Sequence, residues 1–242
     1  IAVAAFAPSR LESKIGGVPV TVELATDYPF SQELRFQVRA DAPVRFPLHL
    51  RIPAWAHGAM VDLPDAPIPE PGSLLLLDRH WSGTTEFRLR LPMQPRLLPR
   101  PNGAVAIARG PLLLALPIRE QWGQVNADHP LRQLPHADWE VLPDSPWNYA
   151  LAIERGNWEV GCSCREQPPG DPVFAPATAP VTITVPARRV ADWVEQDGSA
   201  GPTPASPVIS REPVEQIRLI PYGCTNLRIA EFPLAKPAGN HE

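Results

Sequence analysis

Residues 33–52 read ELRFQVRADAPVRFPLHLRI, and their alternation decides the fold. Leu34, Phe36 and Val38 fall on one side of an extended chain, with Glu33, Arg35, Gln37 and Arg39 on the other. After Asp41-Ala42-Pro43 the pattern resumes, with Phe46, Leu48, Leu50 and Ile52 set against Arg45, His49 and Arg51. Successive side chains of a strand point to opposite faces, so this reads as two strands with one wet face each, at 33–40 and 45–52. The same period recurs at 18–24 through Val18, Val20, Val22 and Leu24, and at 85–91 through Phe87, Leu89 and Leu91. Several such strands at short spacing, separated by Asp, Gly and Pro turns, predict an antiparallel sandwich. Pro19 and Pro47 lie inside these runs and, lacking an N–H, are expected at edge or bulge positions.

Working outward, 33 of the 242 residues are proline, and the longest proline-free stretch is 147–167. Proline breaks helix interiors, so a helix bundle is excluded, as is a doubly wound sheet with its long crossover helices. Residues 94–103, QPRLLPRPNG, combine three prolines with an Asn-Gly turn pair and mark the end of a first domain near Arg100. The second part opens with apolar strands at 104–108 and 112–116, broken at Arg109-Gly110-Pro111. A long irregular region follows, and proline-rich loops at 167–180 and 201–213 flank a strand at 181–185. Strands at 217–220 and 227–232 close the domain, and the last ten residues read as a tail. The expected fold is all-β, with little helix: two antiparallel, jelly-roll-like β-sandwich domains over 1–100 and 101–242.

Net charge is −4, and the 22 basic residues, of which only Lys14 and Lys236 are lysines, are dispersed and not clustered into a patch, so no nucleic-acid footprint is present. No apolar run approaches the roughly 18 residues of a membrane-spanning helix. The chain opens at Ile1 without an initiator Met or a basic region before the apolar start, so a further segment is expected upstream, and the compartment is left open. Three cysteines are too few and odd in number for a disulfide framework. Cys162-Ser163-Cys164 lacks the C-x₂-C spacing of structural zinc sites, even with Cys224 as a third ligand, and the six histidines show no metal-binding spacing; no metal site is expected. Asp27, Asp78, Asp138, Glu140 and Asp144 are loop carboxylates that a glycosidase would need to pair across a sugar pocket, and spacing alone pairs none of them. Four of the seven tryptophans (Trp122, Trp139, Trp147 and Trp158) fall in the irregular region. Trp122, Trp139 and Trp147, together with Tyr149, are candidates for stacking on sugar rings; the alternative is that these aromatics plug cores.

Five segments occur in order: Thr26-Asp27-Tyr28-Pro29-Phe30, Leu50-Arg51-Ile52-Pro53-Ala54-Trp55, Ala106-Ile107-Ala108-Arg109-Gly110-Pro111-Leu112, Trp147-Asn148-Tyr149-Ala150-Leu151 and 219–229, LIPYGCTNLRI. Together they resemble the C-terminal part of glycoside hydrolase family 127, the β-L-arabinofuranosidase-like enzymes, over about 1–233. The resemblance implies an N-terminal (α/α)₆ catalytic barrel followed by two β-sandwiches, of which this chain resembles only the sandwiches. It also implies that the family's zinc-held cysteine nucleophile and its partner ligands belong to the barrel. No catalytic residue is therefore expected in this chain, and zinc is expected in the catalytic domain, which is the principal partner. A homodimer and an arabinose-containing glycan are further partners to test. The function implied is the non-catalytic sandwich portion of such an enzyme, with a free-standing carbohydrate-binding module as the alternative. One departure is Trp81-Ser82-Gly83-Thr84, where the family commonly carries Trp-x-x-Gly-Asp; it touches a turn contact only.

Overall fold

The computed structural model describes residues 1–131 and 136–236. Strands and turns account for them, with three single-turn 3₁₀ segments as the helix content among the described residues. The chain divides into two compact units, one made of Ile1–Pro95 with Arg109–Leu112, the other of Arg96–Ala108 with Leu113–Glu242.

The first unit holds β1 (Ala2–Val3), β2 (Ser9–Ile15), β3 (Val18–Thr26), β4 (Glu33–Arg51), β5 (Met60–Val61) and β6 (Leu74–Arg90). They form one sheet in the order β2-β3-β4-β6-β5, antiparallel throughout, with β1 added parallel to β4 at His49 and Leu50. The two strands predicted at 33–40 and 45–52 are a single strand. Asp41-Ala42-Pro43 carries no turn-forming Asn-Gly pair, and the chain passes through it as a bulge, the register with β6 shifting between Ala40 and Val44. Pro47 lies within β4 beyond the end of β3, and its carbonyl accepts from the Ile1 amino group at 3.1 Å. The apolar faces of both halves of β4 and β6 feed one core. Trp81 is its largest member: 1 % exposed, it stacks on Phe46 at 5.5 Å between ring centres and donates its indole N–H to the Phe46 carbonyl at 3.0 Å.

Arg109-Gly110-Pro111, predicted as a break between strands, is the tip of a hairpin whose contacts place it in the first unit. The buried Arg109 guanidinium donates to the Phe30 carbonyl at 3.2 Å, and the Asp27 carbonyl organises that same turn by accepting from the Phe30 and Ser31 amides. Gly110 is required there, because its φ is +53° and a Cβ would stand 2.7 Å from Met93 Cγ.

The second unit continues with β7 (Pro95–Pro99), β8 (Val105–Arg109), β9 (Leu112–Pro117), β10 (Glu120–Val125), β11 (Asp138–Pro143), β12 (Tyr149–Leu151), β13 (Ser163–Glu166), β14 (Val181–Arg189), β15 (Glu195–Gln196), β16 (Ser199–Ala200), β17 (Glu215–Pro221) and β18 (Arg228–Ile229). Its main sheet runs β12-β14-β17-β9-β8-β7, with β13 on β14 and β18 on β9. Ile107, Leu114, Val185, Leu219 and Phe232 are buried among its core residues. The region read as irregular contains β10 to β13, and the strand predicted at 227–232 shrinks to β18 with an isolated bridge at Phe232. The tail reading is corrected as far as Lys236. Leu234 and Ala235 are buried and bridge to Leu151 and Val208, so the last described residues are part of the sheet edge. The rest of that predicted tail, 237–242, lies outside the described residues.

Candidate functional site

Two small ribbons project beside the main sheet of the second unit, and between them lies a cleft of about 200 Å³. The β10–β11 ribbon supplies Val141, Leu142 and Pro143 to one wall, the β15–β16 hairpin supplies Glu195 and Ser199 to the other, and Trp147 and Arg228 also line it. The β15–β16 turn is the Asp197-Gly198 pair, both at positive φ, as a two-residue hairpin turn requires.

In the β10–β11 register Trp122 faces Val141 and Gln124 faces Trp139, so Trp122, Trp139 and Val141 share one side of the ribbon. The two indoles meet edge to face, 6.0 Å between centres at 72°, and are 51 % and 54 % exposed. Trp147 is half-buried and packs edge to face on Trp193 at 5.3 Å, beside the small core that includes Ala150 and Val190. The Trp193 indole donates to the Gly201 carbonyl at 2.9 Å, and the Asn148 amide donates to the carbonyls of Val190 and Trp193, which fixes the base of the β15–β16 wall.

Tyr149 is not with the others. It lies in β12 at 6 % exposure, where burial and then the charge of the hydrogen-bonded Glu215 carboxylate push the phenol up, so it offers no stacking face. The structure thus brings Trp122 and Trp139 together, sets Trp147 in the adjoining cleft and withdraws Tyr149. Trp158 is buried, as the core-plugging alternative has it.

Glu120 organises the site, and its place is invisible in the sequence pattern. Its carboxylate accepts from the Asn226 amide at 3.1 Å, the Asn226 side chain at 3.1 Å, the Leu227 amide at 2.9 Å and the Trp122 indole at 3.0 Å. Partial burial pushes this carboxyl up, but the donors from Leu227, Asn226 and Trp122 outweigh it and hold it below the usual range. Arg228 is engaged nearby: its guanidinium lies 3.7 Å over the Tyr222 ring and donates to the carbonyls of Thr225 and Asn226.

The candidate acids are dispersed. Asp78, in the first unit, is paired bidentately with Arg45, whose hydrogen bond holds it below the ordinary carboxylate range. Asp144 pairs with Arg119, and Asp138 accepts from Asn126 at 3.3 Å. Glu140 stands on β11 opposite Gly123, and Asp27 acts through its main-chain carbonyl. Burial pushes the Cys162 and Cys224 thiols up, away from the thiolate that a metal ligand or nucleophile requires. Among the described residues no group of three or more His, Cys, Asp or Glu side chains is placed to hold a metal ion, so this part of the fold does not fit the zinc centre implied by the resemblance. No helix among them is long and apolar enough to cross a membrane.

Residues 1–93 match the family model described as beta-L-arabinofuranosidase, GH127 middle domain. Over these residues the chain is similar to the middle domain of glycoside hydrolase family 127. A GH127 β-L-arabinofuranosidase from Geobacillus stearothermophilus T6 aligns in structure with a TM-score of 0.62 at 21 % identity, over 97 % of this chain and 33 % of that one. A second solved chain, titled glycoside hydrolase, gives 0.61 at 18 % identity over 97 % and 36 %, and a GH127 β-arabinofuranosidase gives 0.61 at 16 % over 98 % and 36 %. At these identities the likeness is one of fold, and it extends across both units of the chain. The chain spans about a third of the length of these solved chains. No curated protein matches it in sequence.

Proposed function

We propose that this chain is the non-catalytic β portion of a β-L-arabinofuranosidase-like glycoside hydrolase acting on plant or glycoprotein arabinosides. In this reading it braces an (α/α)₆ catalytic domain, which carries the zinc chemistry, and contributes to a homodimer. The observation that carries the reading is the match of residues 1–93 to a GH127 middle domain, a part defined by its place within a longer enzyme. The chain's own groups are spent on structure: Asp78 on Arg45, Asp144 on Arg119, and Glu120 on four donors.

The test is the intact mass of the protein made by its source, together with turnover of an aryl β-L-arabinofuranoside by this chain alone. A native species heavier than 26.5 kDa by the mass of a catalytic domain, with no turnover by the isolated chain, is expected. Turnover by the isolated chain that a single Asp or Glu substitution abolishes overturns the non-catalytic assignment. The exposed Trp122–Trp139 pair favours one second reading, a free-standing carbohydrate-binding module, which a native mass near 26.5 kDa would select.

A further inference from the structure

We propose that the second unit carries a groove for a neutral oligosaccharide, running from the Trp122–Trp139 pair along Val141 and into the cleft beside Trp147. The proposal rests on the reading that the chain serves a glycan-acting enzyme, and it assigns that service to a specific site. The strand register carries the geometry. Trp122, Trp139 and Val141 share one side of the β10–β11 ribbon, and Val141 lines the cleft together with Leu142 of the other side, so the cleft lies at the end of the ribbon that carries the indoles. Two tryptophans left half exposed on a two-stranded ribbon are costly in water unless a partner covers them, and flat amphipathic rings suit sugar rings, whose C–H faces stack while their hydroxyls stay wet.

Size and charge narrow the ligand. A cleft of about 200 Å³ is smaller than the roughly 300–1,000 Å³ of sites for drug-sized molecules, so it takes a single ring, and further rings extend over the indoles outside. At the cleft the Arg228 guanidinium lies over the Tyr222 ring and gives two carbonyls the same Nη1, and Glu195 adds the opposite charge, so the lining carries no net charge, which suits a neutral ligand. Glu195 and the Ser199 hydroxyl supply the hydrogen-bonding groups that sugar hydroxyls need. Both walls are preorganised, one by the four donors on Glu120 and the other by the Trp193–Gly201 hydrogen bond, so binding orders little that is not already ordered.

The experiment titrates the chain with arabinotriose, xylotriose and, separately, a proline-rich decapeptide, following tryptophan emission and repeating the sugar titrations by calorimetry. A saturable response to a sugar is expected, weakened about tenfold by Trp122→Ala and by Trp147→Phe and unchanged by Trp55→Phe in the first unit. Trp122→Ala also removes one of the four donors on Glu120, so each variant is titrated well below its own melting temperature, where weakened binding by a folded variant reports lost stacking and not a folding defect. No saturable response to either sugar, a response that survives a Trp122→Ala/Trp139→Ala double variant, or saturation by the peptide alone overturns the groove. If the groove fails while the native protein has the mass of a whole hydrolase, the accessory reading stands. Trp122-dependent binding with a native mass near 26.5 kDa keeps the groove and overturns the accessory reading instead.

Discussion

Glu120 joins segments more than a hundred residues apart, and its effect is testable one residue at a time. Replacing it with Ala leaves the Asn226 and Leu227 amides without their acceptor and should cost about 1–3 kcal/mol, read as a lower melting temperature and a red shift of Trp122 emission. Its pH dependence has a definite sign. The folded carboxyl sits below its ordinary value of 4.5, so the stabilisation is fully present above that pH and is lost as pH falls through the folded value. The difference in stability between the native chain and Glu120→Gln should therefore be constant from pH 7 to about 5 and shrink below 4.5; a difference that shrinks above pH 5 would contradict the hydrogen-bonding account. Nothing near position 120 announces this role, because its donors come from residues 226 and 227 and only the fold brings them in. The stacking candidates divide for a similar reason. An aromatic residue type is legible in a sequence, but exposed Trp122 and buried Tyr149 differ only in which strand they occupy and what covers it.

The strands themselves were legible wherever one face is buried. Leu34, Phe36, Val38, Leu48 and Leu50 alternate because they share a core, and their spacing alone locates the strand. What alternation could not show is that the chain runs straight through Asp41-Ala42-Pro43, since a bulge and a turn both interrupt the period. Opposite the end of the first half of β4, Gly83 pairs with Ala40 at φ +63°, with nothing within 4 Å of where a Cβ would stand. Gly83→Ala should therefore destabilise the first unit through backbone conformation alone, by about 1–2 kcal/mol, without steric clash. Gly110→Ala combines the same kind of φ with a Cβ 2.7 Å from Met93 Cγ and should be the worse of the two. Thermal melts of both variants check the ranking, and equal melting temperatures would refute it. The β10–β11 ribbon escaped the same reading because both its faces are largely wet, so no burial imposes an apolar period on it.

For the molecule as a whole, the resemblance carried what periodicity could not, because ordered motifs such as Thr26–Phe30 and Ala106–Leu112 mark a lineage while alternation marks only strands. Physical reasons for those motifs appear in the first unit, where Arg109 of one reaches the Phe30 carbonyl of the other. The outward side of β6 bears on the partner question. Leu75 and Leu77 point into the core, but Leu74 and Leu76, at 57 % and 43 % exposure, face outward opposite Arg51 and His49 of β4. Exposed apolar side chains of this kind promote association, and a net charge of −4 over 242 residues supplies little repulsion to oppose it. The isolated chain should therefore form dimers or larger species as concentration rises, detected by light scattering across a dilution series. Leu74→Lys with Leu76→Lys should shift the population toward monomer without lowering the melting temperature, because neither side chain belongs to the core. A native chain that stays monomeric at the highest concentration reached would remove the homodimer from the proposed role, and an unchanged size distribution in the double variant would place the contact on another surface.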